Sequence, residues 1–180
     1  MTARSILRMG HPVLRVPADP VDDVSSPDMA QLVQDMIDSM EAAGGVGLAA
    51  PQIGVPLRLV IFFVPANRAG GEELPLTILF NPVIEPLGEE EELAFEACLS
   101  VPGLMGEVPR WRRVRYRGLG PDGVPIDRVA EGFHARVVQH ECDHLDGILY
   151  PGRVRDFTRF GFAEEFRGSE DDGFEEEVQE

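Results

Sequence analysis

Gln139-His140-Glu141-Cys142-Asp143-His144-Leu145 is the stretch from which the rest of the chain is best read. On an α-helix, positions i and i+4 lie on one face with Cβ atoms roughly 5–6 Å apart. His140 and His144 so placed can hold one metal ion. Glu141 projects near the same rim and can reach water at the ion. Surface helices carry such a pattern by chance as well, so the surrounding sequence must decide.

The helix carrying this pattern is expected over Glu131 to Leu145, stopping near Gly147. Phe133, Val137, His140 and His144 recur at spacings of four, three and four, so they share one face. Phe133 and Val137 would then line an apolar wall beside the ion, although the same spacing also serves ordinary core packing. Cys142 lies about 200° around the helix from His140 and reads as a buried hydrophobe. Asp143 reads equally as an orienting group or a surface carboxylate. His134 and His11 read as structural or exposed.

A catalytic metal site usually takes three protein ligands and keeps an open position. His144 is the last histidine in the chain, and Tyr150 stands where an extended zinc-protease motif would place its third His. Glu164 lies at the distance used by another protease class. Cys98, in Glu96-Ala97-Cys98-Leu99-Ser100, is a soft alternative that would also pass as a core thiol. A third segment, Gly45-Val46-Gly47-Leu48-Ala49-Ala50-Pro51-Gln52, has small residues that permit close approach of a ligand backbone. Gln52 offers a side-chain N–H donor. A helix end followed by a loop would look the same.

Outside these segments, Ser26-Pro27 opens a helix with a capping Ser and Pro at the first helical position. Leu32, Val33, Met36, Ile37 and Met40 continue it to Gly44-Gly45. Leu57 to Val64 reads as a buried strand, and Thr77 to Leu87 as an extended stretch interrupted at Pro82. Arg113 to Arg117 alternates with Val114 and Tyr116, a strand with one wet face, and Pro121-Asp122-Gly123 is its turn. Arg68 to Glu73 reads as a loop, Glu89 to Glu92 as a solvated acidic stretch, and Asp156 to Arg167 as a last helix. The class is α+β, with mainly antiparallel sheets packed around a central helix that carries the H-E-x-x-H motif.

The 180 residues have ordinary globular composition, 43% hydrophobic and 27% charged. No apolar run approaches the ~20 residues a spanning helix needs, and the start shows no signal-peptide pattern. The expectation is a cytoplasmic chain with no membrane partner. A net charge of −16 disfavours nucleic acid and anionic lipid. All sixteen basic residues are Arg, which excludes Lys-nucleophile chemistry. Half of the net charge lies in Glu164 to Glu180. The two cysteines, Cys98 and Cys142, do not read as a disulfide.

The three segments together resemble the motifs of the peptide deformylase family, G-x-G-L-A-A-x-Q, E-G-C-L-S and Q-H-E-x-D-H. Gly45 to Gln52 matches the first and Gln139 to His144 the third, with Cys98 lying 42 residues before His140. The opening Ile6-Leu7-Arg8-Met9-Gly10, Asn81-Pro82 and Val108-Pro109-Arg110 also resemble the family. The resemblance covers about residues 5 to 160. It implies a catalytic domain over residues 1–167 with an acidic tail at 168–180. It implies a hydrolase that removes the formyl group from N-formylmethionyl nascent peptides and releases formate. Cys98, His140 and His144 would hold one divalent ion, with Fe(II) native and Zn(II), Ni(II) or Co(II) as other occupants. Glu141 would be the general base. Gln52 and the Leu99 backbone N–H would donate to the oxyanion. Val46, Gly47, Ala97, Phe133 and Val137 would line the substrate cleft, and Glu96 and Arg110 would pair nearby.

Three departures stand out. Ala97 replaces the family's usual Gly, Met105 occupies a loop position that is basic in some members, and the tail is acidic. Any transient ribosome association would therefore not use a basic C-terminal helix. The default assembly is a monomer. Two other readings compete: a zinc endopeptidase using His140, His144 and Glu164, and an inactive homologue that keeps metal for structure.

Overall fold

A computed structural model describes residues 3–68 and 73–166. The expected tail at 168–180 lies outside the described residues. Helix α1 (Pro27–Ala42) starts as the sequence predicts: the Ser26 side chain accepts from Met29 N–H, and Pro27 occupies the first turn. Its apolar stripe, with Leu32, Val33, Met36 and Met40 buried, packs into a core cluster with Leu48, Leu59, Ile61 and Phe80.

Five strands form the larger sheet: β1 (Gly47–Ala49), β2 (Leu59–Val64), β3 (Leu74–Pro86), β6 (Arg113–Leu119) and β7 (Pro125–Glu131), in the order β1-β2-β3-β6-β7. The smaller sheet has the order β4-β5-β8, from β4 (Glu91–Cys98), β5 (Val101–Trp111) and β8 (Phe160–Phe162). Every pairing within the two sheets is antiparallel. Helix α2 (Gly132–Leu145) packs against β1, β2, β5, β6 and β7, touching both sheets. Gly147 follows it with φ +72, and a side chain there would collide with the Arg15–Val16 backbone, so the helix ends where the sequence indicates.

Strand β6 shows the expected alternation. Val114 and Tyr116 are fully buried, while Arg113, Arg115 and Arg117 pair on the wet face with Glu131, Asp127 and Glu85. Exposed pairs of this kind contribute at most about 1 kcal/mol each, so Val114 and Tyr116 anchor the strand. His134 donates to or accepts from Tyr116 Oη at 3.2 Å, as a structural residue would, and His11 is exposed.

Two expectations need correction. Asp156 to Arg167 is not one helix: a 3-10 turn (Phe157–Arg159) leads into β8 and then the four-residue helix α3 (Ala163–Phe166). Gly161 would weaken a helix interior, whereas β5 offers unpaired backbone groups that Phe160–Phe162 engage. Pro82 does not interrupt the extended stretch. The strand β3 bulges between Phe80 and Val83, and Asn81 takes φ +49 while its amide pairs with Val21 N–H and C=O at 2.8 Å each. Glu89 to Glu92 are exposed, as a solvated acidic stretch should be, and Glu91 and Glu92 begin β4. The β4–β5 hairpin itself escaped the sequence reading, because its two prolines, Pro102 and Pro109, and scattered Glu and Gly break any two-residue alternation.

Candidate metal centre

The hairpin brings the middle segment to the helix. Strand β4 ends at Cys98, and Leu99-Ser100 turn the chain into β5. Cys98 Sγ lies 3.4 Å from His144 Nε2. One ligand atom each from Cys98, His140 and His144 fall within 4.8 Å of one another, and all three residues are buried or nearly so. No other such group of three occurs among the described residues. Glu164 is exposed on α3 and takes no part in it.

The donors fit a divalent ion. His140 Nδ1 donates to Glu96 Oε2 at 2.8 Å, which leaves Nε2 with its lone pair for an ion. Burial opposes positive charge on His140, but Cys98 and Glu96 outweigh it and hold its proton affinity well above the ordinary value. Burial, with the His140 charge beside it, pushes His144 the other way, well below the ordinary value, so its ring stays neutral with a lone pair for an ion. One thiolate with two imidazoles suits borderline first-row ions better than hard ones.

Glu96 is a buried anchor. Arg110 clamps it with Nε and Nη2 at 2.8 and 2.9 Å, and Arg136 Nη1 adds a third bond at 2.8 Å. Burial works against its charge, yet Arg110 and His140 hold its carboxyl well below the usual range. Asp143 is no surface carboxylate: it is 8% exposed and accepts from Arg110 and Arg153. Arg136 and Arg153 were missed from sequence. Arg136 lies one helical turn before His140, a spacing that could have flagged it; nothing local marks Arg153. Cys142 is buried as expected, and burial pushes its thiol well up.

Gln52 is 2% exposed and its orientation is determined by its partners. Its Oε1 accepts from Ala49 N–H at 2.8 Å, so Nε2 faces Ser100 Oγ at 3.1 Å and Cys98 Sγ at 3.6 Å. Glu141 is 5% exposed, and its Oε2 is buried with no hydrogen-bond partner. Burial raises its pKa to about 7, and the Glu96 charge adds to the effect. A carboxyl poised near neutrality can both take and return a proton.

The cleft residues are placed as follows. Val46 C=O accepts from Phe63 N–H at 2.9 Å. That bond makes Gly47↔Phe62 a non-hydrogen-bonded pair, and the Gly47 backbone groups point outward from the edge strand β1. Ala97 is exposed in β4, and Asn81 is the only non-Gly residue with positive φ among those described, so the extra methyl adds no backbone strain. Met105 is buried opposite Ala97. Phe133 is half-buried beneath the Arg68 guanidinium, 5.0 Å from its ring centre, and Val137 lies in the adjoining core cluster at 5% exposure.

The glycine at position 47 has a steric cause. A Cβ there would overlap the Glu141 carboxylate. Gly47→Ala is accordingly expected to displace Glu141 and lower kcat at least tenfold, with metal content unchanged. Steady-state kinetics with metal analysis check this, and an unaltered kcat would show that Glu141 needs no contact with β1.

Residues 3–160 match the family model described as polypeptide deformylase. The chain is 57% identical over 163 residues to peptide deformylase 2 of Ralstonia nicotianae, covering 89% of this chain and 92% of the relative. It is 57% identical over 162 residues to peptide deformylase 1 of Bordetella pertussis, with the same coverage. Among solved structures, the class I type b peptide deformylase of Acinetobacter baumannii aligns with a TM-score of 0.79 at 35% identity, covering 86% of this chain and all of that one. The Ehrlichia chaffeensis peptide deformylase in complex with actinonin aligns with a TM-score of 0.81 at 33% identity, covering 88% and 92%. With its Cys-His-His cluster at the meeting of hairpin and helix, this chain belongs to the polypeptide deformylase family, metal-dependent hydrolases that remove the formyl group from N-formylmethionyl peptides.

Proposed function

We propose that the cleft between β1, β4 and α2 is the deformylation site, with Cys98, His140 and His144 as metal ligands and Glu141 as general base. The observation that carries this reading is the convergence of three ligand atoms within 4.8 Å beside a buried, unpaired carboxylate oxygen. When bound, a divalent ion supplies a Lewis acid that brings the acidity of water near neutral pH. One thiolate and two imidazoles suit Fe(II), Zn(II), Ni(II) or Co(II), and Fe(II) as the native ion follows from the family resemblance.

Glu141 accepts the proton of the attacking water as its oxygen bonds to the formyl carbon. The carbonyl oxygen gains charge, and the Gln52 Nε2–H and Leu99 backbone N–H donate to it. Removing one donor of this kind typically costs ~10²–10³ in rate. The C–N bond then breaks, Glu141 returns the proton to the amine, and formate and a free N-terminus leave. The outward backbone groups of Gly47 can pair with an extended peptide as an added strand. Phe133 and Val137 lie one to two helical turns from His140, where the methionine side chain would rest. An A. baumannii relative was solved with Met-Ala-Ser bound, a peptide of the corresponding form. Beside Gly47, the Val46 carbonyl accepts from Phe63 N–H and keeps a second lone pair for the same extended peptide.

The substrates on this reading are nascent chains in the cytoplasm. No helix among the described residues is long and apolar enough to cross a membrane. The test is formate release from formyl-Met-Ala-Ser by protein loaded anaerobically with Fe(II) or with Ni(II). Rapid release from this peptide and none from acetyl-Met-Ala-Ser is expected. An absence of release with one ion bound per chain would leave a metal-binding protein without this activity.

A further inference from the structure

The buried charges beside α2 form one continuous chain from a proposed ligand to the surface. Glu96 accepts from His140 Nδ1 at 2.8 Å. Arg110 holds Glu96 through Nε and Nη2 and reaches Asp143 Oδ2 with Nη1. Arg153, at the end of the 3-10 turn Tyr150–Arg153, closes the chain from outside and donates to both Asp143 oxygens, at 2.6 and 3.1 Å. Side-chain exposure rises along it from 4% at Glu96 through 5% and 11% to 43% at Arg153. The outer pair forms part of the wall of a cavity of about 530 Å³. That cavity is lined by Gln139, Cys142, Asp143 and Asp146, not by the two histidines.

We propose that Arg153 is a positioning residue for the metal centre, acting on His140 through Asp143, Arg110 and Glu96. The proposal rests on the ligand set given above. Its basis is the sharing of Arg110 between two buried carboxylates. Asp143 now accepts two bonds from Arg153 and one from Arg110. Without Arg153, a largely desolvated carboxylate keeps a single donor, a costly arrangement that draws Arg110 toward it. Nη1 cannot follow Asp143 without lifting Nε and Nη2 of the same rigid fork from Glu96. Glu96 then orients the imidazole less firmly. Arg136 also donates to Glu96, so the clamp loosens and does not open.

The test uses full-length protein loaded with Ni(II), and follows release of the ion to a chelator. Loss of an outer-shell partner typically costs 10–100-fold in metal affinity or activity, and Arg153 acts through three intermediates, so Arg153→Met is expected to speed release about 3–10-fold. Arg153→Lys should fall between this variant and the parent. Glu96→Gln should release the ion faster still. In that background Arg153→Met should add nothing, because the link it acts through is already broken. Should Glu96→Gln fail to fold, Asp143→Asn serves as the same background. Unchanged release in Arg153→Met, or a full additional effect in the double variant, would overturn the proposal. Failure of the underlying reading is separately visible: the ion would then bind Cys98→Ala as tightly as the parent.

Discussion

Glu141→Gln is expected to leave one ion per chain and to lower formate release by about 10²–10⁴-fold, the range that a positioned general base contributes. The variant is well matched to the site. Glutamine has nearly the same shape, and Gly47 leaves room for it against β1. The carboxylate is already poised to exchange a proton, since burial raises it to about 7. Protonation has the same consequence as the substitution, so the acidic limb of the parent's rate–pH profile should fall as pH drops and Glu141 gains a proton. That limb should be missing from the residual rate of Glu141→Gln. Metal analysis alongside single-turnover kinetics measures both parts. A variant that keeps a tenth or more of the parent rate would move the base elsewhere.

The second large effect is the loss of the ion itself. Cys98→Ala should empty the site on desalting and abolish activity, a change greater than the ~10–100-fold typical of removing an outer partner. The sulfur lies 3.4 Å from His144 Nε2 and 3.6 Å from Gln52 Nε2, so its removal also takes one acceptor from Gln52, which keeps Ser100 Oγ and Ala49 N–H as partners. Two imidazoles on one helix remain, a set short of the three ligands of a catalytic centre. Retention of metal with cleavage of casein would instead revive a protease reading, which would need Glu164 to move from its exposed place on α3. The paired variants separate the two roles: one loses the ion and the other keeps it.

Much of this centre was legible along the chain. His140 and His144 sit four positions apart, with Glu141 beside the first, on a segment whose apolar spacing and following Gly147 specify a helix, and local geometry alone brings the two imidazoles together. The capped start of α1 and the alternation of β6 were readable for the same reason, since each depends on neighbours within a few residues. The third ligand was not. From spacing alone, Tyr150 stood where a third His was needed, Cys98 and Glu164 both remained open, and only the resemblance favoured Cys98.

The choice is made by the β4–β5 hairpin, which delivers Cys98 across 42 residues of chain and which no two-residue alternation announced. Strand β8 likewise forms because β5 has an open edge, not because Phe160–Phe162 prefers extension, and the helix expected there gives way. The ionic chain is tertiary throughout. Glu96, Arg110, Asp143 and Arg153 come from four separate segments, and the first three are stable in the interior only because their partners are there. A sequence determines by itself what short-range periodicity and capping can encode: here, a helix with two imidazoles and a carboxylate at its rim. Which distant side chain completes the site, and which charges may be buried behind it, depend on desolvation and pairing between segments, and those exist only once the sheets have closed around α2.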